Sequence, residues 1–192
     1  MASEAFARHT AQLRAARPRD DEQAEDQLLE QMRAGEGDAP AWRPPRGVTS
    51  EEVDVGGRPA TRLVPDGAPQ DRAILHLHGG AYAVGAFGAH LDLAARLAVA
   101  AGRVVVALDY RLAPEHPHPA ALDDAAAAHD QLVGDGLAGG VALSGESAGA
   151  GLALALLVRL RAGGVALPLA AALLSPWADA TAGAAWREPG SD

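Results

Sequence analysis

Val141-Ala142-Leu143-Ser144-Gly145-Glu146-Ser147-Ala148-Gly149-Ala150-Gly151 changes character in mid-run. An apolar run enters, a G-x-S-x-G pentapeptide follows with Ser147 at its centre, and an apolar helical stretch, 148–161, leaves. A bare G-x-S-x-G also arises as an ordinary glycine-rich turn before a helix. Strand, tight turn and helix in succession make it a nucleophile elbow, which strains the serine backbone and lifts the hydroxyl out from the sheet edge. Gly145 and Gly149 are expected there because the incoming strand and the outgoing helix pass too close for side chains.

Upstream, residues 73–77 (A-I-L-H-L) read as a short buried strand. His78-Gly79-Gly80-Ala81-Tyr82 follows it. Two glycines directly after a strand let the backbone bend sharply and leave N–H groups free to point into a cleft. Residues 91–101 predict a helix, apolar at helical spacing through Leu93, Leu97 and Val99 and ended by Gly102. Residues 103–109 hold three consecutive valines and predict the next buried strand. A proline-pinned loop, 109–119, then leads to a helix over 120–133.

Downstream, Gly163-Gly164 stops the helix that leaves the elbow, and 169–174 predict one more strand, ahead of Ser175-Pro176-Trp177-Ala178-Asp179. Residues 180–192 read as loop. Near the start, 51–55 and 58–64 alternate apolar and polar residues across Gly56-Gly57, the pattern of a hairpin solvated on one face. Residues 39–46 carry Pro40, Pro44 and Pro45 and form a linker. Residues 3–35 are charged and amphipathic, with Leu13, Leu28, Leu29 and Met32 as apolar anchors, and predict two short helices broken near Pro18. They form either a solvated surface or a lid over a pocket. The division is thus 1–38 for cap-type helices and 39–192 for an α/β core. Strands alternating with helices imply a mostly parallel sheet covered on both faces, a three-layer sandwich.

Composition narrows the function. At 192 residues the chain is one domain with a small appendage, and an apolar fraction of 48% is ample for a core. All 16 basic residues are arginine, and the net charge of -9 argues against nucleic acid as a partner, since phosphate binding needs a basic face. Cysteine is absent, which excludes disulfides and thiolate metal sites. Residues 1–20 lack the apolar run of a secretory signal, and the apolar stretch 162–175 is too short and too broken to span a bilayer. A soluble, cytoplasmic protein is the expectation.

Three motifs stand in fixed order: H-G-G-A-Y at 78–82, D-Y-R-L-A-P-E-H-P at 109–117 and G-E-S-A-G at 145–149. Together with S-P-W-A-D at 175–179 they resemble the hormone-sensitive-lipase-like branch of the α/β-hydrolases, the bacterial carboxylesterases, over roughly residues 40 to 180. The resemblance implies an α/β-hydrolase sandwich, a small-molecule ester of short to medium acyl chain as substrate, and no cofactor or metal. It implies Ser147 as nucleophile, and the N–H groups of Gly79, Gly80 and Ala148 as an oxyanion hole for the charge that develops on the carbonyl oxygen. His78 would brace the glycine loop rather than take protons. Asp109, Arg111 and Glu115 would form a structural network beside the elbow, with Gly145, Glu146 and Gly149 supporting it. The cap-type helices would line the acyl pocket.

The chain departs from that pattern. In the family, the triad acid and then the histidine follow the serine along the chain. No histidine follows Ser147; the seven are His9, His76, His78, His90, His116, His118 and His129. Asp179 lies just past a strand and reads better as a loop cap than as the triad acid. A serine without a base is a weak nucleophile. The expectation is the N-terminal part of an esterase, with its last strands missing, its activity impaired and residues 169–174 left as an apolar edge able to pair with a second copy. Two rivals remain open. His76 and His78 sit two apart on a strand, the H-x-H spacing that binds zinc in a metal hydrolase, and His116 and His118 repeat it; under the esterase reading His76 is a packed core histidine. A pocket kept without its base would make a non-catalytic binder of small ligands.

Overall fold

The computed structural model describes residues 27, 29–34, 42–85, 87–137 and 140–178, with backbone only for 87–89. Strands β1 (Val48–Val55) and β2 (Arg58–Pro65) form the hairpin across Gly56-Gly57, both of which have positive φ. Strand β3 (Ala73–Leu77), helix α1 (Phe87–Ala101), strand β4 (Val104–Leu108), helix α2 (Ala120–Leu132) and strand β5 (Val141–Glu146) follow. Helix α3 (Ala148–Ala162) and strand β6 (Ala171–Leu174) close the described chain. The strands and helices expected between residues 51 and 174 are present. Their ends move by up to four residues, and α2 is followed by a kinked turn at Val133–Leu137, where Gly136 has φ 91°.

The six strands make one sheet in the order β1-β2-β4-β3-β5-β6. β1, β2 and β4 pair antiparallel, while β4, β3, β5 and β6 run parallel. The period of two along the strands sorts the core into two layers. Val104, Val106 and Leu108 of β4, Leu75 and Leu77 of β3, and Val141 and Leu143 of β5 face α2 and α3. Val105 and Ala107 of β4, with Ile74 of β3, face α1. The sandwich is therefore three layers deep, as the alternation of strands and helices implies.

Helix α1 buries a different stripe from the one its large residues suggest. Leu91, Ala94, Ala95 and Ala98 are buried, while Leu93 and Val99 are exposed and Leu97 is half-buried. The positions 91, 94, 95 and 98 are one helical face, and three alanines on it let the helix lie close to the sheet. β6 is shorter than predicted and exposed along most of its length. Among the described residues, no helix is long and apolar enough to cross a membrane.

Of the cap-type region only 27 and 29–34 are described, and they are helical. Met32 is exposed there rather than an apolar anchor, and Leu29 is half-buried. Leu13, Leu28, Pro18, Asp179 and the 180–192 loop lie outside the described residues.

Candidate active site

β5 delivers Glu146 and Ser147 to the C-terminal edge of the parallel strands, the edge where open α/β sheets bind ligands. Ser147 has φ 53° and ψ -119°, outside every region comfortable for a side-chain-bearing residue. Three backbone bonds hold it there: its N–H donates to Leu174 O (2.9 Å), and its carbonyl accepts from Gly151 N (3.1 Å) and Trp177 N (3.1 Å). The side chain is exposed. A Cβ on Gly145 would lie 2.5 Å from Gly149 O, and one on Gly149 would collide with the carbonyls of Leu77 and His78. Close approach therefore requires glycine at both positions.

The glycine loop lies against the elbow: a Cβ on Gly79 would come within 3.3 Å of Ser147 Cβ. Its three amides differ. Gly79 N–H donates to Glu146 Oε1 at 2.8 Å, so it is already taken and cannot serve a substrate oxygen. This corrects the reading of Gly79 as an oxyanion donor; a carboxylate two residues past Ser144 reaches the amide first. No acceptor among the described residues takes the N–H of Gly80, Ala81 or Ala148. Gly80 and Ala81 both have positive φ (110° and 54°), the bend that turns the loop back. Val84 N–H bonds Gly80 O at 2.9 Å and closes it.

His78 sits under this loop as a brace. Its Nδ1 donates to Gly79 O at 2.7 Å, its ring stacks on Tyr110 at 4.3 Å, and Tyr110 Oη donates to His78 O at 2.6 Å. Burial lowers its pKa to about 4, against the opposing pull of the Gly79 carbonyl, so it is neutral at physiological pH. Burial likewise drives the Tyr110 phenol upward. Gly85 leaves room for the imidazole, since a Cβ there would strike the ring.

Asp109, Arg111 and Glu115 do not form one network. Arg111 pairs with Asp124 on α2 through Nη2 at 2.7 Å and Nε at 3.0 Å, and its backbone N–H bonds the same carboxylate at 2.9 Å. Arg58 reaches Asp124 at 3.6 Å and bonds Asp109 O, so Asp109 joins this group through its carbonyl. Burial would raise the Asp124 carboxyl, but the Arg111 bonds outweigh it and hold the pKa low. Glu115 stands apart, gripped by Arg33 at 2.6 and 2.9 Å. The Arg33 guanidinium also donates to Ala83 O and Ala113 O, both at 2.9 Å, which ties the helical residues near 33 to the glycine loop and the proline loop. The physical reason is reach: the loop after β4 turns Glu115 outward toward Arg33, while Arg111 points back at α2.

The H-x-H pairs are engaged otherwise. His76 Nδ1 lies 2.8 Å from Ser144 Oγ and His78 is the loop brace, while His116 and His118 are exposed. Among the described residues no three metal-ligating side chains cluster. No described imidazole is hydrogen-bonded to Ser147 Oγ. Sequence reasoning gave Glu146 a supporting role without naming its partners, read His76 as a zinc ligand or a core histidine and left His90 unassigned. Strand parity carried the missing signal: His76, Ser144 and Glu146 all alternate to the α1 face, with His76 opposite Ser144 in register.

A family profile described as alpha/beta hydrolase fold matches residues 74–191. An acetyl-hydrolase of Streptomyces hygroscopicus is 46% identical over 134 residues, covering 69% of this chain and 45% of that protein. An esterase of Acinetobacter venetianus is 38% identical over 136 residues, 70% of this chain and 41% of that protein. The crystal structure of EstE5 soaked with p-nitrophenyl butyrate superposes with a TM-score of 0.75 at 40% identity, over 80% of this chain and 52% of that one. An esterase from the bacterial hormone-sensitive lipase family superposes at 0.71 with 39% identity, over 93% and 60%. The chain therefore spans about half the length of the relatives it matches. It belongs to the alpha/beta hydrolase fold family, with esterases of the hormone-sensitive lipase group among its relatives.

Proposed function

We propose that this chain carries the nucleophilic half of a carboxylic ester hydrolase. Ser147 Oγ attacks the ester carbonyl, its proton passes to a base, the alcohol leaves, and the acyl-serine is then hydrolysed by water. The negative charge that builds on the carbonyl oxygen is met by the amides of Gly80, Ala81 and Ala148. One observation carries the reading: a serine at positive φ, exposed, beside a glycine loop whose Gly80 and Ala81 amides meet no acceptor among the described residues. Residues 1–38 act as a cap, a role supported by the Arg33 contacts to the loops on either side of the site. The acetyl and butyryl groups in the names of the relatives favour short acyl chains.

No histidine follows Ser147, and no described imidazole bonds its hydroxyl. The 192-residue chain should hydrolyse p-nitrophenyl butyrate slowly, at the residual level of roughly 10³–10⁴ over water that an oxyanion site and binding supply without a full triad. Added imidazole should stimulate it by supplying the missing proton acceptor. Ser147→Ala must abolish that stimulation, leaving only the rate of free imidazole. Stimulation equal in the variant and the parent would sink the proposal. Binding of the ester without any Ser147-dependent turnover would favour the non-catalytic reading instead.

A further inference from the structure

Beneath the elbow lies a buried polar chain that the proposed ester chemistry does not use. Glu146 is its centre. Oε1 accepts from Gly79 N–H (2.8 Å) and lies 2.9 Å from His90 Nδ1 on α1. Oε2 faces His76 Nε2 at 3.3 Å, an electrostatic contact whose geometry is not that of a hydrogen bond. His76 Nδ1 in turn meets Ser144 Oγ at 2.8 Å. His76 and Ser144 are almost wholly buried, at 2% and 1% exposure, so their mutual contact is shielded from water.

The direction of every proton in the chain follows from one fact. An ionised carboxylate only accepts, so His90 presents Nδ1–H and His76 presents Nε2–H to it. His76 Nδ1 is then an acceptor, and Ser144 donates its hydroxyl proton to it. Burial works to raise the Glu146 carboxyl, but the bonds from His90 and Gly79 and the nearby His76 hold it below the ordinary value, consistent with an ionised centre. Burial works to keep His76 neutral. Among the described residues, His76 from β3 and His90 from α1 face Glu146, and its charge also reaches His78, whose ring lies 5.0 Å from that of His90, and Tyr110.

The Gly79 peptide is thus gripped on its N–H by Glu146 and on its carbonyl by His78. A glycine held at both ends cannot rotate, and the direction of the next amides, Gly80 and Ala81, is set with it. We propose that Glu146 is a positioning residue that aims the glycine-loop amides at Ser147, with His90 as the donor that holds its carboxylate in place and His76 facing its second oxygen. A bare carboxylate beside the nucleophile would oppose the oxyanion; two donors bonded to it, with the His76 ring facing its second oxygen, reduce that opposition while a charge-assisted bond locks the loop. The functional part of this claim rests on the esterase reading, whereas the clamp itself does not.

The test uses the full chain, labelled with ¹⁵N. In the parent, the Gly79 amide should exchange slowly, His76 should carry its proton on Nε2, and His90 should carry one on Nδ1. Glu146→Ala should speed Gly79 exchange at least tenfold while the amides of β3 keep their rates. Glu146→Gln keeps an acceptor for Gly79, so protection should return to within about threefold of the parent. Its new NH₂ would face His76, which should then shift its proton to Nδ1 and donate to Ser144. That tautomer change, read from imidazole ¹⁵N shifts, is an effect that simple loosening would not produce. Unchanged Gly79 exchange in Glu146→Ala, equal acceleration across β3, or an unmoved His76 proton in Glu146→Gln would each overturn the clamp. If Glu146→Ala does not fold, the Gln variant decides alone. Imidazole-stimulated acylation of Ser147 in the same variants tests the functional half separately. A fall in its maximal rate at unchanged KM is expected for Glu146→Ala, and an unchanged rate despite lost Gly79 protection would leave the clamp standing and remove its catalytic purpose.

Discussion

His78 shows how one residue ties the site to pH. Its pKa is lowered by burial from 6.5 to about 4, so the native state binds its proton less readily than the unfolded chain. The contribution of the neutral ring to stability is whole above about pH 6.5 and is lost as pH falls toward 4. A shift of this size corresponds to about 3 kcal/mol across that window. NMR titration should find the His78 ring uncharged at pH 5, and thermal melts should lose stability between pH 6.5 and 4. A ring that titrates near 6.5 would refute the buried stack on Tyr110. Gly149 makes a sterically sharper case. Gly149→Ala places a methyl against the carbonyls of Leu77 and His78, which are backbone and cannot swing aside. We expect a loss of about 3 kcal/mol, as for other changes that force strained backbone apart, and loss of Ser147 reactivity. Calorimetry of the purified variant measures the first, and imidazole-stimulated acylation the second.

Between elements, the firmest polar tie is Asp124 on α2, which receives the Arg111 side chain and backbone together with Arg58 from β2. Asp124 is 5% exposed, whereas the Arg111 side chain is 34% exposed, so part of the pairing is screened by water. Asp124→Ala should cost about 2–3 kcal/mol, through two arginines left without their carboxylate, and lower Tm by roughly 6 °C. A variant as stable as the parent would show the tie to be ornamental. The Arg33 strap is different in kind. Its partner Glu115 is held down to about 2 mainly by the Arg33 hydrogen bonds, yet its carboxylate is more than half exposed and the Arg33 side chain a third exposed. Arg33→Ala should therefore leave the melting of the sheet nearly unchanged and raise amide exchange only at 29–34. These ties also mark where the sequence was mute. D-Y-R-L-A-P-E-H-P announces a charged loop, but its charges diverge to α2 and to Arg33, and linear spacing holds no record of which way a loop turns. Helix α1 misled for a related reason: its large apolar residues drew attention, while alanines chose the packed face.

At the scale of the whole molecule, the order of strands and helices and the position of the elbow were legible, because period-two runs, glycine stops and a glycine-flanked serine are local signals with one physical meaning each. The hub at Glu146 was legible only in principle, since strand parity puts His76, Ser144 and Glu146 on one face but register must be known to bring them together. The edge at β6 is a third case, readable in outline and consequential for solution behaviour. β6 pairs with β5 on one side, and among the described residues no strand pairs with the other. Leu167, Leu169, Leu174 and Trp177 around it are all exposed, at 50%, 55%, 49% and 43%. An apolar strand with a free row of N–H and C=O groups is a template for another copy, and here no proline or charge lies within Ala171–Leu174 to blunt it. The net charge of -9 opposes association at long range, but salt screens that repulsion within about 10 Å and leaves the edge contact untouched. Light scattering should therefore show the 192-residue chain self-associating with rising concentration, and more strongly at 0.5 M salt than at low ionic strength. Leu174→Lys puts a charge on the edge beside the Ser147 turn and should shift the chain toward monomer without lowering Tm. A chain that remains monomeric at high concentration and high salt, or a lysine variant that associates as readily as the parent, would mean that the β6 edge is not where copies meet.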